Sequence, residues 1–294
     1  MVSPVAMVTG ASSGLGLATA VGLAGTGRRV VATVREGSRT TELAAASAAS
    51  GGLISMARLD VRDRAAAAAL VGSLTADGLA IDVLVNNAGV GSFGAVETST
   101  DAELELVMDT NFLAAVAMTR LVLPGMRARR GGTVVNIGSV DGWLPGRPLR
   151  WAYAASKHAL GTFSEALALE VASFGIRVRQ LDPGFHATRI RDNRIARATS
   201  PGQVGAEVEA AYADLGAAVD RAMRAGGGAA ADPADVARAV VAAIEDRDVH
   251  PIRRLVGADA LAATAAARGR SEQEQAADWW RDAGLAPPGE GTDL

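Results

Sequence analysis

The sequence has no cysteine and only three histidines among its 294 residues. Without cysteine, the chain can form neither a disulfide nor a thiolate metal site. The histidines stand far apart in the sequence, at positions 158, 186 and 250. A bound metal ion needs several ligands close together. The sequence therefore predicts no metal site.

Lysine is nearly absent as well. Lys157 is the only lysine among 29 basic residues, and all the others are arginine. The net charge is −3 and the sequence pI is about 5.7, so the charge balance does not favour nucleic acid or an anionic membrane as a partner. We expect the partner to be a small molecule, with no nucleic acid and no membrane.

Long apolar runs are missing too. No stretch approaches about 18 uninterrupted apolar residues, the length that suggests a spanning helix. The first residues, MVSPVAMVTGASSG, carry no basic leader and run directly into a glycine-rich turn. With 49% hydrophobic residues the chain has enough apolar surface for a sizeable core. We expect a cytoplasmic globular protein.

Short β-branched runs alternate with stretches that carry apolar residues at helical spacing. The runs lie at 5–9, 29–34, 53–59, 83–85, 133–137, 177–181 and 254–256, and the longest helical stretches at 101–129 and 151–174. This alternation is typical of an α/β fold with a doubly wound parallel sheet and helices on both faces. We predict a single domain over residues 1–265, containing a helical substrate lid at 185–230, and a partly disordered C-terminal extension at 266–294.

The first predicted strand runs into the segment TGASSGLG, which places Gly10, Gly14 and Gly16 before a helical stretch. A glycine-rich turn between a strand and a helix lets the backbone approach a pyrophosphate, whose charge then lies at the helix N-terminus. The spacing differs by one residue from the G-x-G-x-x-G fingerprint, and a purely structural turn has a similar sequence. Its position after the first strand favours dinucleotide binding.

Several spaced motifs together resemble the short-chain dehydrogenase/reductase family over about residues 5 to 260. They are TGASSGLG, NNAG at 86–89, Asn111, Ser139, Tyr153 with Lys157, and Pro183–Gly184. The resemblance implies a Rossmann fold and an oxidoreductase that exchanges hydride between NADP(H) and a ketone or secondary alcohol. The long 185–230 segment and the segments ATVR and PIRRLVGADA are similar to the hydroxysteroid and retinol dehydrogenase branch. The family resemblance also implies a homodimer or homotetramer.

Tyr153 and Lys157 are four residues apart on a predicted helix, so they share one face. A phenol has an ordinary pKa of about 10, and a neighbouring ammonium is expected to lower it. The compact lysine charge suits this place better than a planar guanidinium, which explains why one lysine is kept. The alternative is an exposed helix lysine beside a buried tyrosine.

The resemblance implies two further members of the catalytic group. Ser139 ends a predicted strand, and its hydroxyl is expected to hydrogen-bond the substrate oxygen that Tyr153 protonates or deprotonates. Asn111 lies inside a helical run, where it is expected to bend the helix and to hold a water molecule linked to Lys157. By themselves, Ser139 would be a turn residue and Asn111 an ordinary polar helix position.

The cofactor site is expected to lie at the ends of the strands. The resemblance implies that it is formed by Gly10, Ser12, Ser13, Gly14, Leu15, Gly16, Arg35, Asp60, Val61, Asn87, Ala88, Gly89, Tyr153, Lys157, Pro183, Gly184 and Thr188. NADP(H) is favoured over NAD(H), because apolar Val34 stands where NAD-specific members have an acid and Arg35 follows it. Glu36 weakens this argument, since a shift of two residues would place an acid there.

The substrate pocket is expected on the loops after the fifth and sixth strands. Its predicted members are Asp141, Trp143, Leu144, Leu149, Phe185 and His186. Their mainly apolar character predicts a bulky or ring-containing substrate, although each of them is equally well explained by packing of the loop on its own scaffold. The pair Trp279–Trp280 is more typical of a core or oligomer contact. Two alternative functions stay open: non-redox or cyclising chemistry on the same fold, and a non-catalytic dinucleotide sensor.

Overall fold

Seven parallel strands form one sheet in the described part of the chain. The structure is a computed structural model that describes residues 3–186, 206–226, 231–248, 251–282 and 284. In chain order the strands are β1 (Val5–Val8), β2 (Arg29–Val34), β3 (Ile54–Arg58), β4 (Ile81–Asn86), β5 (Gly132–Ile137), β6 (Ile176–Pro183) and β7 (Arg253–Val256). Their order across the sheet is β3-β2-β1-β4-β5-β6-β7, so the chain starts in the middle and winds to both edges. This confirms the predicted fold class.

Helices cover both faces of the sheet. They are α1 (Gly14–Gly25), α2 (Thr41–Ala49), α3 (Arg64–Ala76), α4 (Asp101–Met108), α5 (Ala114–Arg129), α6 (Trp151–Val171), α7 (Ala206–Ala211), α8 (Ala213–Gly226), α9 (Pro233–Glu245), α10 (Ala258–Ala267) and α11 (Glu272–Asp282). A π-helical turn at Asp109–Leu113 joins α4 to α5. Short 3₁₀ turns lie at Val140–Gly142 and Ala172–Phe174.

The sheet separates two apolar cores, because successive side chains of its strands point to opposite faces. On β1, Ala6 and Val8 belong to the core shared with α1 and α9, whereas Val5 and Met7 belong to the core shared with α3, α5 and α6. All four side chains are almost completely buried. The central strand β1 is therefore apolar without alternation, as expected for a parallel strand with both faces covered.

The helical stretch at Asp101–Arg129 is the longest apolar segment of the described chain. By length and composition alone it could cross a membrane, with a mean hydropathy of 1.5 and 44% of its most apolar window buried. The central helix of a sheet protein passes the same test, and the buried residues Met118, Val122 and Met126 pack with the strands on one face of the sheet. This observation is therefore weak evidence for a membrane span.

The strand order reverses between β1 and β4, because the chain continues from β1 to β2 toward one edge of the sheet and from β4 to β5 toward the other. At such a switch point a crevice opens beyond the carboxyl ends of the strands, where open α/β sheets bind ligands. Of the predicted lid, 187–205 and 227–230 lie outside the described residues, and 206–226 contains α7 and α8. The extension after 265 contains α11, which the sequence analysis did not predict.

Candidate active site

A large cavity occupies the crevice, with a volume of about 1890 Å³. Nearly all of the predicted cofactor residues line it. These are Gly10, Ser12, Ser13, Gly14, Leu15, Gly16, Arg35, Asp60, Val61, Asn87, Ala88, Gly89, Tyr153, Lys157, Pro183 and Gly184. The remaining one, Thr188, lies outside the described residues. Segments that are far apart in the sequence thus meet in one place.

The glycine-rich turn has the properties that an anion requires. Gly10 has φ 67°, and a Cβ there would lie 2.8 Å from the Cα of Ala88. A Cβ on Gly16 would lie 2.4 Å from the carbonyl oxygen of Gly10. The side chain of the N-cap residue Ser13 makes no capping hydrogen bond, and the first turn of α1 contains no acidic residue. The first amides of α1 therefore suit a phosphate group.

Asn87 fixes the turn after β4 against the turn after β1. Its side-chain amide donates to the carbonyl oxygens of Thr9 and Gly10, at 2.9 and 3.0 Å. The hydroxyl of Thr9 accepts from the backbone amides of Asn87 and Ala88, at 3.0 and 3.1 Å. Each of these four contacts joins a side chain of one turn to a backbone atom of the other, so the floor of this part of the cavity depends on the path of the main chain in both turns.

Ser139, Tyr153 and Lys157 meet beyond the end of β5, and all three are buried. The ammonium of Lys157 donates to the carbonyl oxygen of Ile137 at 2.9 Å and lies 5.8 Å from the ring centre of Tyr153. The Ser139 hydroxyl is close enough to the Tyr153 phenol to lower its pKa. The Ser139 hydroxyl also accepts from the backbone amide of Asp141 at 3.1 Å. A hydroxyl and a phenol therefore face the same part of the cavity.

Asn111 is placed in the π-helical turn between α4 and α5. Its Oδ1 accepts from the amide of Val90 at 2.8 Å, and its Nδ2 donates to the Val90 carbonyl at 3.0 Å and to the hydroxyl of Ser156 at 3.1 Å. A Cβ at Gly89 would lie 3.3 Å from Asn111 Oδ1 and 3.9 Å from Lys157 Nζ. Asn111 thus ties the loop after β4 to α6 close to the lysine.

The ionisation of Tyr153 differs from the sequence-based expectation. Burial, followed by the negative charge of Asp141, raises the pKa of the Tyr153 phenol to about 12, although the hydrogen bond from Ser139 acts in the opposite direction. Burial also lowers the pKa of Lys157 to about 8, and the charge of Asp182 partly offsets this. The expected lowering of the Tyr153 pKa is wrong for this structure, because helical spacing does not show how deeply the phenol is buried.

Asp182 is a functional candidate that the sequence analysis passed over. Its carboxylate is completely buried and accepts hydrogen bonds from several donors. The donors are the amide of Ser139 at 3.0 Å, the indole of Trp143 at 2.7 Å, the side chain of Gln180 at 2.7 Å and Nε of Arg253 at 3.2 Å. A buried carboxylate needs such partners. The available signal was an acidic residue directly before Pro183 in an otherwise buried strand.

Arg253, the first residue of β7, completes this contact. Its Nη2 donates to the carbonyl of Gly142 at 2.9 Å, and its guanidinium carbon lies 4.3 Å above the ring of Trp143. Its Nη1 lies 3.6 Å from the exposed carboxylate of Glu165. Asp182 and Arg253 together fix the position of Trp143 and of the loop that follows Ser139.

The other predicted pocket residues divide into two groups. Asp141, Trp143, Leu144, Phe185 and His186 line the cavity. Leu149 does not line it. Instead, Leu149 is buried beside Ala95 and Val219 in a separate apolar cluster.

Asp141 is one of the buried residues at this end of the cavity. It forms an ion pair with Arg150, whose guanidinium lies 5.6 Å from the ring centre of Tyr153. The cavity therefore has a charged pair close to the phenol as well as an apolar wall.

The loop after β6 is fastened to α10. The carboxylate of Asp259 accepts from the amide of Phe185 at 2.5 Å, and the amide of Gly184 donates to the carbonyl of Val256 at 2.9 Å. A Cβ on Gly184 would lie 2.3 Å from that carboxylate. Helices α10 and α11 also contribute to the lining of the cavity, including Trp279 and Trp280, which the sequence analysis had assigned to a core or oligomer contact.

Comparison with known proteins agrees with this geometry. A model of the short chain dehydrogenase family matches residues 4–198. A 3-ketodihydrosphingosine reductase from Bacteroides thetaiotaomicron is 39% identical over 188 residues, which cover 64% of this chain and 66% of the reductase. Human retinol dehydrogenase 8 is 37% identical over 254 residues, which cover 84% of this chain and 79% of that protein.

A solved structure provides a further comparison. The crystal structure of a metagenomic short-chain oxidoreductase in complex with NADP superimposes with a TM-score of 0.65 at 30% sequence identity. The superposition covers 86% of this chain and 96% of the other. Most of the residues that line the crevice lie within residues 4–198, the range that the family model matches.

Proposed function

The chain belongs to the short-chain dehydrogenase family and is an oxidoreductase, and we propose that it exchanges hydride between NADP(H) and a bulky ketone or secondary alcohol. The observation that carries this proposal is the meeting of Ser139, Tyr153 and Lys157 in the same cavity as the uncapped N-terminus of α1. That helix end and its glycine turn fit the pyrophosphate of a dinucleotide. When bound, the nicotinamide supplies or accepts the hydride.

Tyr153 is the proposed proton donor in the direction of ketone reduction. With a pKa of about 12 the phenol is neutral at physiological pH, so it holds the proton that the carbonyl oxygen needs as hydride reaches the carbonyl carbon. The hydroxyl of Ser139 donates a hydrogen bond to the same oxygen. Lys157 is charged below a pH of about 8 and stabilises the phenolate left behind.

The preference for NADP(H) over NAD(H) rests on the end of β2. Val34 lies where an acidic residue would bind the ribose of NAD, and Arg35 and Arg39 follow it in the cavity lining. The carboxylate of Glu36 lies 3.7 Å from Nε of Arg58, so it has a cationic partner already. Arginine suits a phosphate because its planar donors make two parallel hydrogen bonds.

A bulky substrate is supported by the lining of the cavity beyond Ser139. Trp143, Leu144 and Phe185 present apolar surface there, and burial of apolar substrate surface contributes about 25 cal/mol for each Å². The two relatives compared above are named for a keto compound and for retinol. We extend the proposal to an apolar, ring-containing or long-chain substrate.

We further propose a cytoplasmic homodimer or homotetramer. Leu113 in the π-helical turn and Leu169 on α6 are large apolar side chains that are 47% and 72% exposed. They lie on the helical segments 101–129 and 151–174, whose equivalents form the dimer interface in many members of the family that the sequence resembles. Size-exclusion chromatography with light scattering tests this, and a monomer at micromolar concentration would contradict it.

The test of the activity is a nicotinamide fluorescence assay with NADPH or NADH and a panel of cyclic and acyclic ketones. We expect NADPH oxidation that depends on the ketone. If the protein binds the dinucleotide but does not oxidise it with any ketone of the panel, it would instead be a sensor. A change of substrate without net oxidation would point to non-redox chemistry.

A further inference from the structure

Helix α11 is a well-formed element near the end of the described chain. Ser271 and Glu274 form reciprocal hydrogen bonds at its start, because the Glu274 amide donates to the Ser271 hydroxyl at 3.2 Å and the Ser271 amide donates to the Glu274 carboxylate at 2.7 Å. An ion pair between Arg270 and Asp278 ties the loop before α11 to the helix. The side chain of Gln275 also donates to the carbonyl of Arg270 at 3.0 Å.

One face of α11 looks into the cavity. Glu272, Gln275, Ala276 and Trp279 line it, and their spacing of three or four residues places them on one side of the helix. Trp280 lines the cavity too. The rest of the helix is mostly charged, so α11 does not pack as a core helix.

Trp279 fastens this helix to an apolar cluster. Its ring packs against the cluster of Ala95, Leu149 and Val219, which come from the loop after β4, the loop before α6 and α8. The ring of Trp280 meets the ring of Trp279 edge to face, with centres 5.0 Å apart. Both tryptophans remain partly exposed, so they still present surface to the cavity.

We propose that α11 forms a third wall of the substrate pocket, in which Trp279 anchors the helix and Trp280 contacts the part of the substrate remote from the reacting carbon. This inference rests on the proposed function and deepens it. The substrate class is an apolar ring or chain attached to the ketone or alcohol carbon. Trp143 and Phe185 cover such a group from the loops, and Trp280 covers it from the C-terminal helix.

The experiment compares the full-length parent with Trp280→Ala and with Arg281→Ala as the matched control. Arg281 is the next residue on the same helix, exposed and outside the cavity lining. kcat and KM are measured with NADPH for 2-decalone, a bicyclic ketone, and for butanone. Because an indole face is lost, we expect KM for 2-decalone to rise about tenfold in Trp280→Ala, and KM for butanone to change less than about twofold. The control should match the parent.

A second readout does not require turnover. The NADPH-loaded protein is titrated with 2-decalol, which cannot react with the reduced cofactor, and tryptophan fluorescence is followed. We expect a saturable change in the parent, which gives a Kd for 2-decalol, and a Kd about tenfold higher in Trp280→Ala. The affinity for NADPH alone, measured in both variants, should stay as in the parent.

The outcomes separate the two proposals. If none of the ketones supports NADPH oxidation by the parent, but 2-decalol binds and its affinity depends on Trp280, the proposed activity is wrong and the third wall is supported. If Trp280→Ala matches the control with both ketones, or loses both equally, the third wall is wrong and the activity stands. A change in oligomer size with an equal loss for both ketones would assign the tryptophans to an interface instead.

Discussion

The cofactor end and the substrate end of the cavity are held in shape by different contacts. At the cofactor end, the turns after β1 and β4 meet through backbone atoms, Asn87 and glycines that leave no room for a Cβ. At the substrate end, the loop after β5 is held by the buried carboxylate of Asp182 and the partly buried guanidinium of Arg253. The first end depends on the path of the main chain, and the second on individual side chains that can be exchanged to suit another substrate.

The largest effect is expected where the two ends meet. Tyr153→Phe removes the proposed proton donor and keeps the ring, so we expect kcat for ketone reduction to fall at least about 10³-fold while the affinity for NADPH stays within about threefold. The measurements are steady-state kinetics and a fluorescence titration with NADPH. A variant that keeps more than about a tenth of the parent rate would remove Tyr153 from the proposed chemistry.

The two ends also differ in how far the sequence predicts them. The glycine turn, the NNAG segment and the Tyr153–Lys157 pair are local patterns whose spacing follows from a strand, a turn or a helix, and they reach the same cavity as expected. Asp182 and Arg253 are 71 residues apart, and their contact depends on β6 and β7 lying side by side. Local periodicity contains no information on that pairing.

The same limit explains the two results that differed most from expectation. The upward shift of the Tyr153 pKa depends on the burial of the phenol and on the charge of Asp141, and both follow from tertiary packing. Trp279 packs against the cluster that contains Leu149, although the mostly charged sequence of α11 predicts no such contact. The sequence therefore supports the fold and the chemistry at the cofactor end, and less of the wall that selects a substrate.

The charged contacts of the substrate end are tested by Asp182→Asn, with Glu165→Gln as the control. Both carboxylates lie beside Arg253, but Asp182 is completely buried and the side chain of Glu165 is 54% exposed. Loss of the buried charge should lower the free energy of unfolding by about 3 kcal/mol, and loss of the exposed one by less than about 1 kcal/mol. Denaturant unfolding measures both, and equal effects would contradict the comparison.

Asp182→Asn should also change the pH dependence of kcat, which a purely structural effect of the substitution would not do. The carboxylate of Asp182 raises the pKa of Lys157, which burial holds at about 8. Without that negative charge the pKa of Lys157 falls further, so its charged form is lost at lower pH. The alkaline limb of the kcat profile should therefore move to lower pH in Asp182→Asn and stay in place in Glu165→Gln.

The backbone contacts of the cofactor end are tested by Gly16→Ala, with Gly25→Ala as the control on the same helix. A Cβ on Gly16 would lie 2.4 Å from the carbonyl oxygen of Gly10, whereas one on Gly25 meets nothing within 4 Å. The turn must shift to admit the methyl group, so we expect Kd for NADPH to rise about 100-fold. The control should bind as the parent does. Unchanged binding in Gly16→Ala would show that the turn is not the pyrophosphate site.

The smallest expected effect belongs to the one place where the cofactor end depends on a side-chain charge. Arg35 lies on the rim of the cavity and is exposed, so its contribution to phosphate binding is screened by solvent. We expect Arg35→Ala to raise Kd for NADPH about tenfold, roughly the loss of one charged hydrogen-bonded contact, and to leave Kd for NADH within about twofold. Arg28→Ala is the control, because Arg28 directly precedes β2 and does not line the cavity. Equal affinities for NADPH and NADH in the parent would contradict the proposed preference. The choice of cofactor would then be assigned to Glu36, because a free carboxylate at the end of β2 would bind the ribose hydroxyls of NADH and repel a phosphate.

The variant Glu36→Gln distinguishes the two cases. If Glu36 selects the cofactor, Glu36→Gln lowers the affinity for NADH. Under the proposed preference it changes neither affinity by more than about twofold, because Glu36 is exposed and lies beside Arg58.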